Sequence, residues 1–167
     1  MYRTGIMTLS DKGSQGQRED KSGPLIQTML AETNLYAVVK TIILPDDVET
    51  IKSALIAWAD EDQLDLILTT GGTGFSQRDW TPEATIAVCD RLTPGIPEAM
   101  RTHSLKITPK AMLSRSAAGI RKQTLIINLP GSPKAVKENL EAILPALDHG
   151  LEMLLSSGSA NCAEPIK

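Results

Sequence analysis

The sequence predicts an α/β fold: a three-layer domain with a mostly parallel sheet and helices on both faces. Short apolar runs of strand type alternate along the chain with longer segments whose apolar residues recur at helical spacing. Polar loops containing Gly and Pro separate these segments. Strands that alternate with helices are typical of a parallel sheet, because each crossover helix returns the chain to the same end of the sheet.

The elements follow in order along the chain. Strands are predicted at residues 3–9, 36–44, 64–68 and 124–129. Helices are predicted around Leu25 to Leu30 and at 48–59, 83–91, 98–104 and 134–155. Residues 105–111 are ambiguous, and 112–120 are expected to hold a short strand or a helix. Ser22 is expected to cap the first helix, and Pro145 to kink or break the last one.

The length of 167 residues predicts one domain, with expected bounds of 1–155 and a polar, loose C-terminal tail at 156–167. Hydrophobic residues make up 41% and charged residues 22%, as in an ordinary soluble globular protein. A net charge of −3 argues against a dedicated nucleic-acid binder. No nucleic-acid partner is therefore expected.

Cysteine usage and hydropathy predict a cytoplasmic protein. Cys89 and Cys162 form neither a CxxC motif nor a zinc-ligand spacing, so we expect a buried thiol and a free thiol in the tail. The chain begins without a signal-peptide pattern, and no apolar run approaches the ~18 residues needed to span a bilayer. No membrane partner is expected.

Four predicted strands end in polar loops, at 10–23, 45–47, 69–82 and 130–133. Parallel strands would bring these loops to one edge of the sheet, where open α/β sheets bind ligands. The loop after the third strand, TTGGTGFSQRDWTPE, joins three glycines to a helix start. Such a loop can bind an anion, because glycine admits close backbone approach and helix N–H groups point outward. Neither the P-loop nor the Rossmann motif is present, and a simple tight turn is the alternative.

Asp46 and Asp79 each follow a predicted strand and precede a predicted helix. Each is either a helix N-cap or, with the other, part of a Mg²⁺ site beside a phosphate, since Mg²⁺ takes one or two carboxylates plus phosphate oxygens. Arg78 would neutralise phosphate charge or is a surface arginine. His103 neighbours Ser104, but adjacent helical residues do not face each other, which argues against a Ser-His-Asp triad. Phosphoryl or nucleotidyl transfer, which depends on positioning and charge neutralisation, fits better.

The motifs in these loops are similar to those of a known family. From about residue 6 to residue 154 it resembles the molybdopterin adenylyltransferases, the MogA/MoaB-type bacterial proteins and the related G domains, including that of gephyrin. The matching segments are SDK at 10–12 with Gly16, Asp20 and SGP at 22–24; LPDD at 44–47; LTTGGTGFSQRDWTPEAT at 68–85; PG at 94–95; SLKITP at 104–109; MLSR at 112–115; GIR at 119–121; and NLPGSP at 128–133. The TTGGTG and RDWTPEAT segments are highly specific.

The resemblance implies transfer of AMP from MgATP to the terminal phosphate of molybdopterin, with release of pyrophosphate. It implies that Asp46 and Asp79 are the catalytic pair and hold Mg²⁺. It also implies a homotrimer and handover of the product to a molybdenum insertase. The substrate-binding residues that it implies are Asp20, Ser22, Gly23, Thr70, Gly71, Gly72, Thr73, Gly74, Arg78, Ser104, Lys106, Ser114, Arg115, Asn128, Pro130, Gly131 and Ser132. Of these, Gly71 to Gly74 would bind phosphate; Asp20, Ser22, Gly23, Ser114 and Arg115 the pterin; and Asn128 and 130–132 would shape the nucleotide pocket.

Two departures from the family pattern are small. Lys12 stands where many members carry Arg, and Trp80 replaces a commonly aliphatic residue. Two other functions stay open: a non-catalytic pterin-binding or scaffold protein on the same fold, and a generic ATP- or GTP-binding regulator. The presence of both aspartates favours the enzyme, and the absence of a standard nucleotide motif disfavours the regulator.

Overall fold

The computed structural model describes residues 1–156 as an alternation of strands and helices. The elements are β1 Tyr2–Leu9, α1 Asp11–Ser14, α2 Ser22–Thr33, β2 Tyr36–Leu44, α3 Val48–Asp60, β3 Leu66–Thr70, α4 Thr81–Val88, β4 Arg91–Leu92, α5 Gly95–Leu105, a 3₁₀ helix Pro109–Leu113, β5 Ala118–Arg121, β6 Thr124–Leu129 and α6 Pro133–Leu155. The expectations for the tail beyond Ser156, including the thiol of Cys162, lie outside the described residues.

The strands form one sheet in the order β2-β1-β3-β6-β5-β4. The first four are parallel to one another, whereas β5 runs antiparallel to β6, and β4 antiparallel to β5. The parallel strands end level with each other, since Leu9 pairs with Leu44, Thr8 with Thr70, and Thr70 with Leu129. The predicted mostly parallel sheet is confirmed, and its four polar loops leave from one edge.

Helices cover both faces of the sheet, as predicted. Successive residues of a strand point to opposite faces, so β3 places Leu66 and Leu68 in one core and Ile67 in the other. The first core holds buried residues of α2, α5 and α6, and the second holds those of α3 and α4. Because β3 lies in the middle of the sheet, all five of its residues are buried.

Pro145 is expected to kink or break the last helix, and the structure excludes the break. Helix α6 is 23 residues long and continues without interruption past Pro145. Its buried face carries Leu140, Ile143, Leu147 and Leu151, and each such burial contributes about 1.5–3 kcal/mol, which together outweigh the cost of about 3 kcal/mol for an internal proline. None of the helices in residues 1–156 combines the length and the hydropathy of a membrane-spanning segment.

Other boundaries also differ from expectation. The predicted helix at 83–91 runs instead from Thr81 to Val88, and Arg91–Leu92 form a short strand. The amide of Asp90 donates to the carbonyl of Ile120 at 2.8 Å, so the chain leaves the helix to pair with β5. The predicted polar loop at 10–23 contains the one-turn helix α1, whose N-cap is Ser10.

The close packing of α3 on β1 depends on a missing side chain at Gly5. A Cβ atom at this position would lie 2.6 Å from the ring of Trp58 and 2.7 Å from Leu64 Cδ1. Trp58 is 3% exposed and packs in the core between α3 and the sheet. The absence of a side chain at Gly5 therefore allows the Trp58 indole to contact the β1 backbone.

We expect Gly5→Ala to lower the free energy of unfolding by about 1–3 kcal/mol, because the added methyl overpacks a rigid ring. Urea denaturation followed by circular dichroism measures this change. Gly150→Ala on α6 is the matched control: it has no heavy atom within 4 Å of the added Cβ and should raise stability by up to ~1 kcal/mol. Equal stability of the Gly5→Ala variant and the wild type would contradict the packing argument.

Candidate active site

A pocket of about 730 Å³ opens at the edge of the sheet where the four parallel strands end. It is formed by the loops that follow β1, β2, β3 and β6. Its wall consists of Thr8, Leu9, Ser10, Gly13, Arg18, Glu19, Asp20, Lys21, Ser22, Asp46, Thr70, Gly71, Gly72, Asp79, Gly131, Ser132 and Pro133. Residues far apart in the chain thus meet in one place, as expected for parallel strand ends.

The glycine turn after β3 forms the floor of this pocket. Gly71 and Gly72 have φ angles of 100° and 67°, in the region that side chains disfavour. A Cβ at Gly71 would lie 2.4 Å from the carbonyl oxygen of Leu9, and one at Gly72 only 2.1 Å from Thr81 Oγ1 and 3.3 Å from Asp46 Oδ1. Both glycines are therefore sterically required for the turn, and Gly72 leaves backbone facing the Asp46 carboxylate.

Asp46 is not a helix cap. Asp47 caps α3 instead, since its carboxylate accepts from the Thr50 amide at 2.9 Å. Asp46 Oδ2 accepts from the amide of Asp11 at 3.0 Å, and the amide of Asp46 donates to Asp11 Oδ1 at the same distance. Burial raises the pKa of Asp46, and the charges of Asp11 and Asp79 act in the same direction. A cation in the pocket would therefore be favoured beside Asp46.

Asp79 is not a helix cap either. Helix α4 begins at Thr81 with no side-chain cap from the preceding residue. Asp79 Oδ2 instead accepts from the amide of Ser76 at 2.9 Å, inside its own loop. Within the described part of the chain, Oδ1 of Asp46 and Oδ1 of Asp79 accept no hydrogen bond. Both residues line the pocket, and each has one carboxylate oxygen that accepts no hydrogen bond from the described residues.

Arg78 bridges two of the loops. Its Nε and Nη2 donate to Asp11 Oδ2 and Oδ1, both at 2.9 Å. This pairing holds the pKa of Asp11 below its usual range. The Arg78 guanidinium is committed to a carboxylate and is not part of the pocket wall. Its expected contact with a phosphate thus requires that it release Asp11.

Arg115 closes the loop that carries Asp79. Its Nε donates to the carbonyl of Gly74 at 2.8 Å, and its Nη2 donates to the carbonyl of Asp79. Nη1 pairs with the carboxylate of Glu83 at the start of α4. The guanidinium therefore joins both ends of the Gly74–Asp79 loop to a helix. In this arrangement it lies outside the wall of the pocket, and its expected contact with the pterin stays a prediction.

Asp20, rather than Ser22, provides the hydrogen bonds at the start of α2. Asp20 Oδ1 accepts from the amides of Ser22 and Gly23 at 3.0 and 2.9 Å, and Oδ2 accepts from Thr8 Oγ1 at 2.7 Å. The Ser22 hydroxyl donates instead to the carbonyl of Gly131 at 2.8 Å. The correction has a simple cause: Asp20 is close enough to reach two amides, whereas Ser22 already lies within the helix.

Two neighbouring loops are tied at the opposite wall. Thr70 Oγ1 donates to the carbonyl of Pro130 at 2.7 Å. Ser132 caps α6 by accepting from the amide of Ala135 at 3.2 Å. Both Thr70 and Ser132 line the pocket, and the N-terminus of α6 begins directly behind Ser132. A helix start at this position favours a bound anion.

The structure brings only part of the predicted set to the main pocket. Asn128 is 0% exposed and donates to Thr69 and Thr85 in the core. Ser104 accepts from Asn139 between α5 and α6, and Lys106 is exposed where α5 ends. Ser114 bonds to Ser116, and Gly23 lines a smaller pocket of about 340 Å³ next to the main one. Thr73, Gly74 and Pro130 flank the wall without being part of it.

Several residues of the pocket were not predicted. They are Thr8, Leu9, Ser10, Gly13, Arg18, Glu19, Lys21 and Pro133. Most belong to the 10–23 loop, whose length for a connection between a strand and a helix is a sequence signal of function. The pattern does not reveal which of its side chains face the pocket, because the short helix α1 interrupts the loop and has no sequence periodicity of its own. Arg18 and Lys21 add positive charge to a wall that also holds carboxylates.

The donor set suits Mg²⁺ only if a ligand completes it. Within residues 1–156 there is no group of three or more His, Cys, Asp or Glu side chains that could enclose a metal ion. Asp46 and Asp79 offer two carboxylates, and Mg²⁺ is commonly held by one or two carboxylates together with phosphate oxygens and waters. The two aspartates therefore fit a metal that arrives with a phosphate ligand and do not form a closed structural site.

Comparisons with known proteins identify the family of this chain. A family described as a probable molybdopterin binding domain matches residues 5–149. The molybdopterin adenylyltransferase of Helicobacter pylori strain J99 is 47% identical over 154 residues, which cover 92% of this chain and 88% of that protein. Gephyrin of Dictyostelium discoideum is 46% identical over 96% of this chain, which corresponds to 23% of gephyrin.

Solved structures identify the same family and fold. The crystal structure of the molybdopterin biosynthesis enzyme MoaB from Thermus thermophilus superimposes with a TM-score of 0.88 at 50% identity, over 92% of this chain and 96% of that one. The predicted fold and family are confirmed. With a family match over most of its length and the strand-end pocket in place, this chain belongs to the family of molybdopterin-binding domains of molybdenum cofactor biosynthesis.

Proposed function

We propose that this protein is a molybdopterin adenylyltransferase, which transfers AMP from ATP to the terminal phosphate of molybdopterin and releases pyrophosphate. The observation that carries the proposal is the pair Asp46 and Asp79, which face one pocket at the ends of parallel strands with one free oxygen each. The H. pylori relative of that name, at 47% identity, supports it.

The reaction needs two anionic groups held side by side. An oxygen of the molybdopterin phosphate attacks the α-phosphorus of ATP, and the bond from that phosphorus to the β-phosphate oxygen breaks, so that pyrophosphate leaves. Gly71 and Gly72 present bare backbone where the phosphates approach, and the start of α6 supplies amide dipoles. Arg18 and Lys21 offset further negative charge from the pocket wall.

Asp46 and Asp79 are the residues that would hold Mg²⁺, through their free Oδ1 atoms. When bound, Mg²⁺ neutralises charge on the phosphate oxygens and on the leaving pyrophosphate. Burial raises the pKa of Asp46, and a cation beside this carboxylate would favour its charged form. Asp79 would contribute the second carboxylate, from the loop that also carries Gly74.

Several finer features belong to the same proposal. The catalytic domain spans residues 1–155 and acts as a homotrimer in the cytoplasm. Its product, adenylylated molybdopterin, passes to a molybdenum insertase. The remaining substrate contacts divide between the pterin, at Asp20, Ser22 and their neighbours, and the nucleotide, beside Gly131 and Ser132.

Asp79→Asn should reduce pyrophosphate release by ~100-fold or more, because the amide keeps the hydrogen bond from Ser76 but loses the charge that holds the metal. The assay combines purified protein, molybdopterin, ATP and Mg²⁺, and the binding of molybdopterin is measured separately by fluorescence quenching. The pterin should bind to the variant as it does to the wild type.

The control for this experiment is Glu141→Gln, which removes one exposed carboxylate from α6. It should leave turnover unchanged. Wild-type protein that binds molybdopterin but releases no pyrophosphate would favour the non-catalytic pterin-binding protein. Near-normal turnover of Asp79→Asn would remove Asp79 from the metal site.

The protein should sediment at three times the mass of one chain. Sedimentation equilibrium at micromolar concentration measures this directly, with and without ATP and Mg²⁺. A stable monomer over the whole concentration range would contradict the proposed trimer without bearing on the chemistry of the pocket.

A further inference from the structure

We propose that Asp11 is a positioning residue for Asp46, which fixes the direction of the Asp46 carboxylate without itself contacting substrate. This inference rests on the proposed function, since it concerns the metal-holding role of Asp46. Asp11 lies outside the pocket wall, whereas Asp46 is part of it. Any influence of Asp11 on the reaction must therefore pass through a neighbour.

The contact between the two aspartates is reciprocal. The Asp11 amide donates to Asp46 Oδ2, and Asp11 Oδ1 accepts from the Asp46 amide, both at 3.0 Å. One bond holds the side chain of Asp46 and the other holds its backbone. Together they leave Oδ1 of Asp46 free on the side of Gly72, where the glycine backbone faces the pocket.

Asp11 is itself held at both ends. Its backbone lies at the first position of α1, where Ser10 Oγ caps the helix by accepting from the Gly13 amide at 3.0 Å. The amide of Ser10 donates to the carbonyl of Leu44 at 2.9 Å, which ties this segment to the end of β2. The side chain of Asp11 receives both donors of Arg78 in a charge-assisted pair. A residue constrained in this way can impose its geometry on Asp46.

The Arg78 pair also connects the two metal-holding aspartates. Arg78 directly precedes Asp79, and Asp11 directly contacts Asp46. The path from the β3 loop through Arg78 and Asp11 to the β2 loop consists of hydrogen bonds between 2.9 and 3.0 Å long. Asp11 thus helps to set the spacing of the two carboxylates as well as the direction of one.

Two substitutions separate geometry from charge. Asp11→Asn keeps a carbonyl oxygen at the Oδ1 position for the Asp46 amide and Arg78 Nη2, but loses the charge and the acceptor for Arg78 Nε. Both variants keep the Asp11 amide that donates to Asp46 Oδ2, so they test the contribution of the Asp11 side chain. Asp11→Glu keeps the charge and a partner for Arg78 but moves the acceptor by one methylene. If Asp11 acts by position, Asp11→Glu should weaken metal binding ~10-fold, while Asp11→Asn stays within ~3-fold of the wild type.

The main readout is the affinity for Mn²⁺ in the presence of a non-cleavable ATP analogue, measured by electron paramagnetic resonance. The concentration of Mg²⁺ that gives half-maximal pyrophosphate release should shift in the same order, with the affinity for molybdopterin unchanged. Asp47→Ala is the matched control, because it removes a neighbouring carboxylate that caps α3. It should lower the melting temperature and leave the Mn²⁺ affinity unchanged.

The outcomes are distinct. Wild-type affinity in Asp11→Glu, or a larger loss in Asp11→Asn than in Asp11→Glu, would overturn the positioning role. Losses that merely follow the melting temperatures of all three variants would show a structural role only and would also overturn it. If the wild type binds Mn²⁺ but releases no pyrophosphate, the proposed function fails while the positioning of a metal ligand still stands.

Discussion

Parallel pairing of four strands is the constraint on which this structure depends. A chain that returns to a sheet in the same direction must cross one face, so each parallel connection places a helix over the sheet. The same rule brings all four strand ends to one edge. The layered core and the position of the pocket are therefore two results of one backbone arrangement.

Hydrogen bonds between loops connect the walls of the pocket. Asp11 joins the β1 and β2 loops, Arg78 adds the β3 loop, and Ser22 reaches the β6 loop at Gly131. Such polar links suit a site that must admit charged ligands, where an apolar wall would oppose them. The strands fix where each loop begins, and hydrogen bonds from the side chains of one loop orient the residues of the next.

The layout of the fold could be predicted from the sequence because long elements carry strong patterns. The apolar runs of β3 and β6 and the spacing along α6 identify these elements directly. Arg91–Leu92 could not be found, since a two-residue strand has no periodicity and exists only by pairing with β5. Likewise Asp46 and Asp79 could be chosen as candidates from their place after strands. The sequence does not show that Asp47 rather than Asp46 caps α3, because either aspartate could do so. The hydrogen bonds from Arg115 to the loop that carries Asp79 join residues distant in sequence and could not be predicted.

The two tryptophans of this chain differ in solvent exposure, and the exposed one is an intrinsic fluorescent probe of the pocket loop. Trp58 is 3% exposed in the core under Lys40, whereas Trp80 is 48% exposed and donates to Gln77 within the loop that carries Asp79. Any ligand that reorders this loop changes the solvent around one indole and leaves the other constant. Intrinsic fluorescence therefore reports on the loop that carries Asp79, with Trp58 as an internal reference and without an added dye.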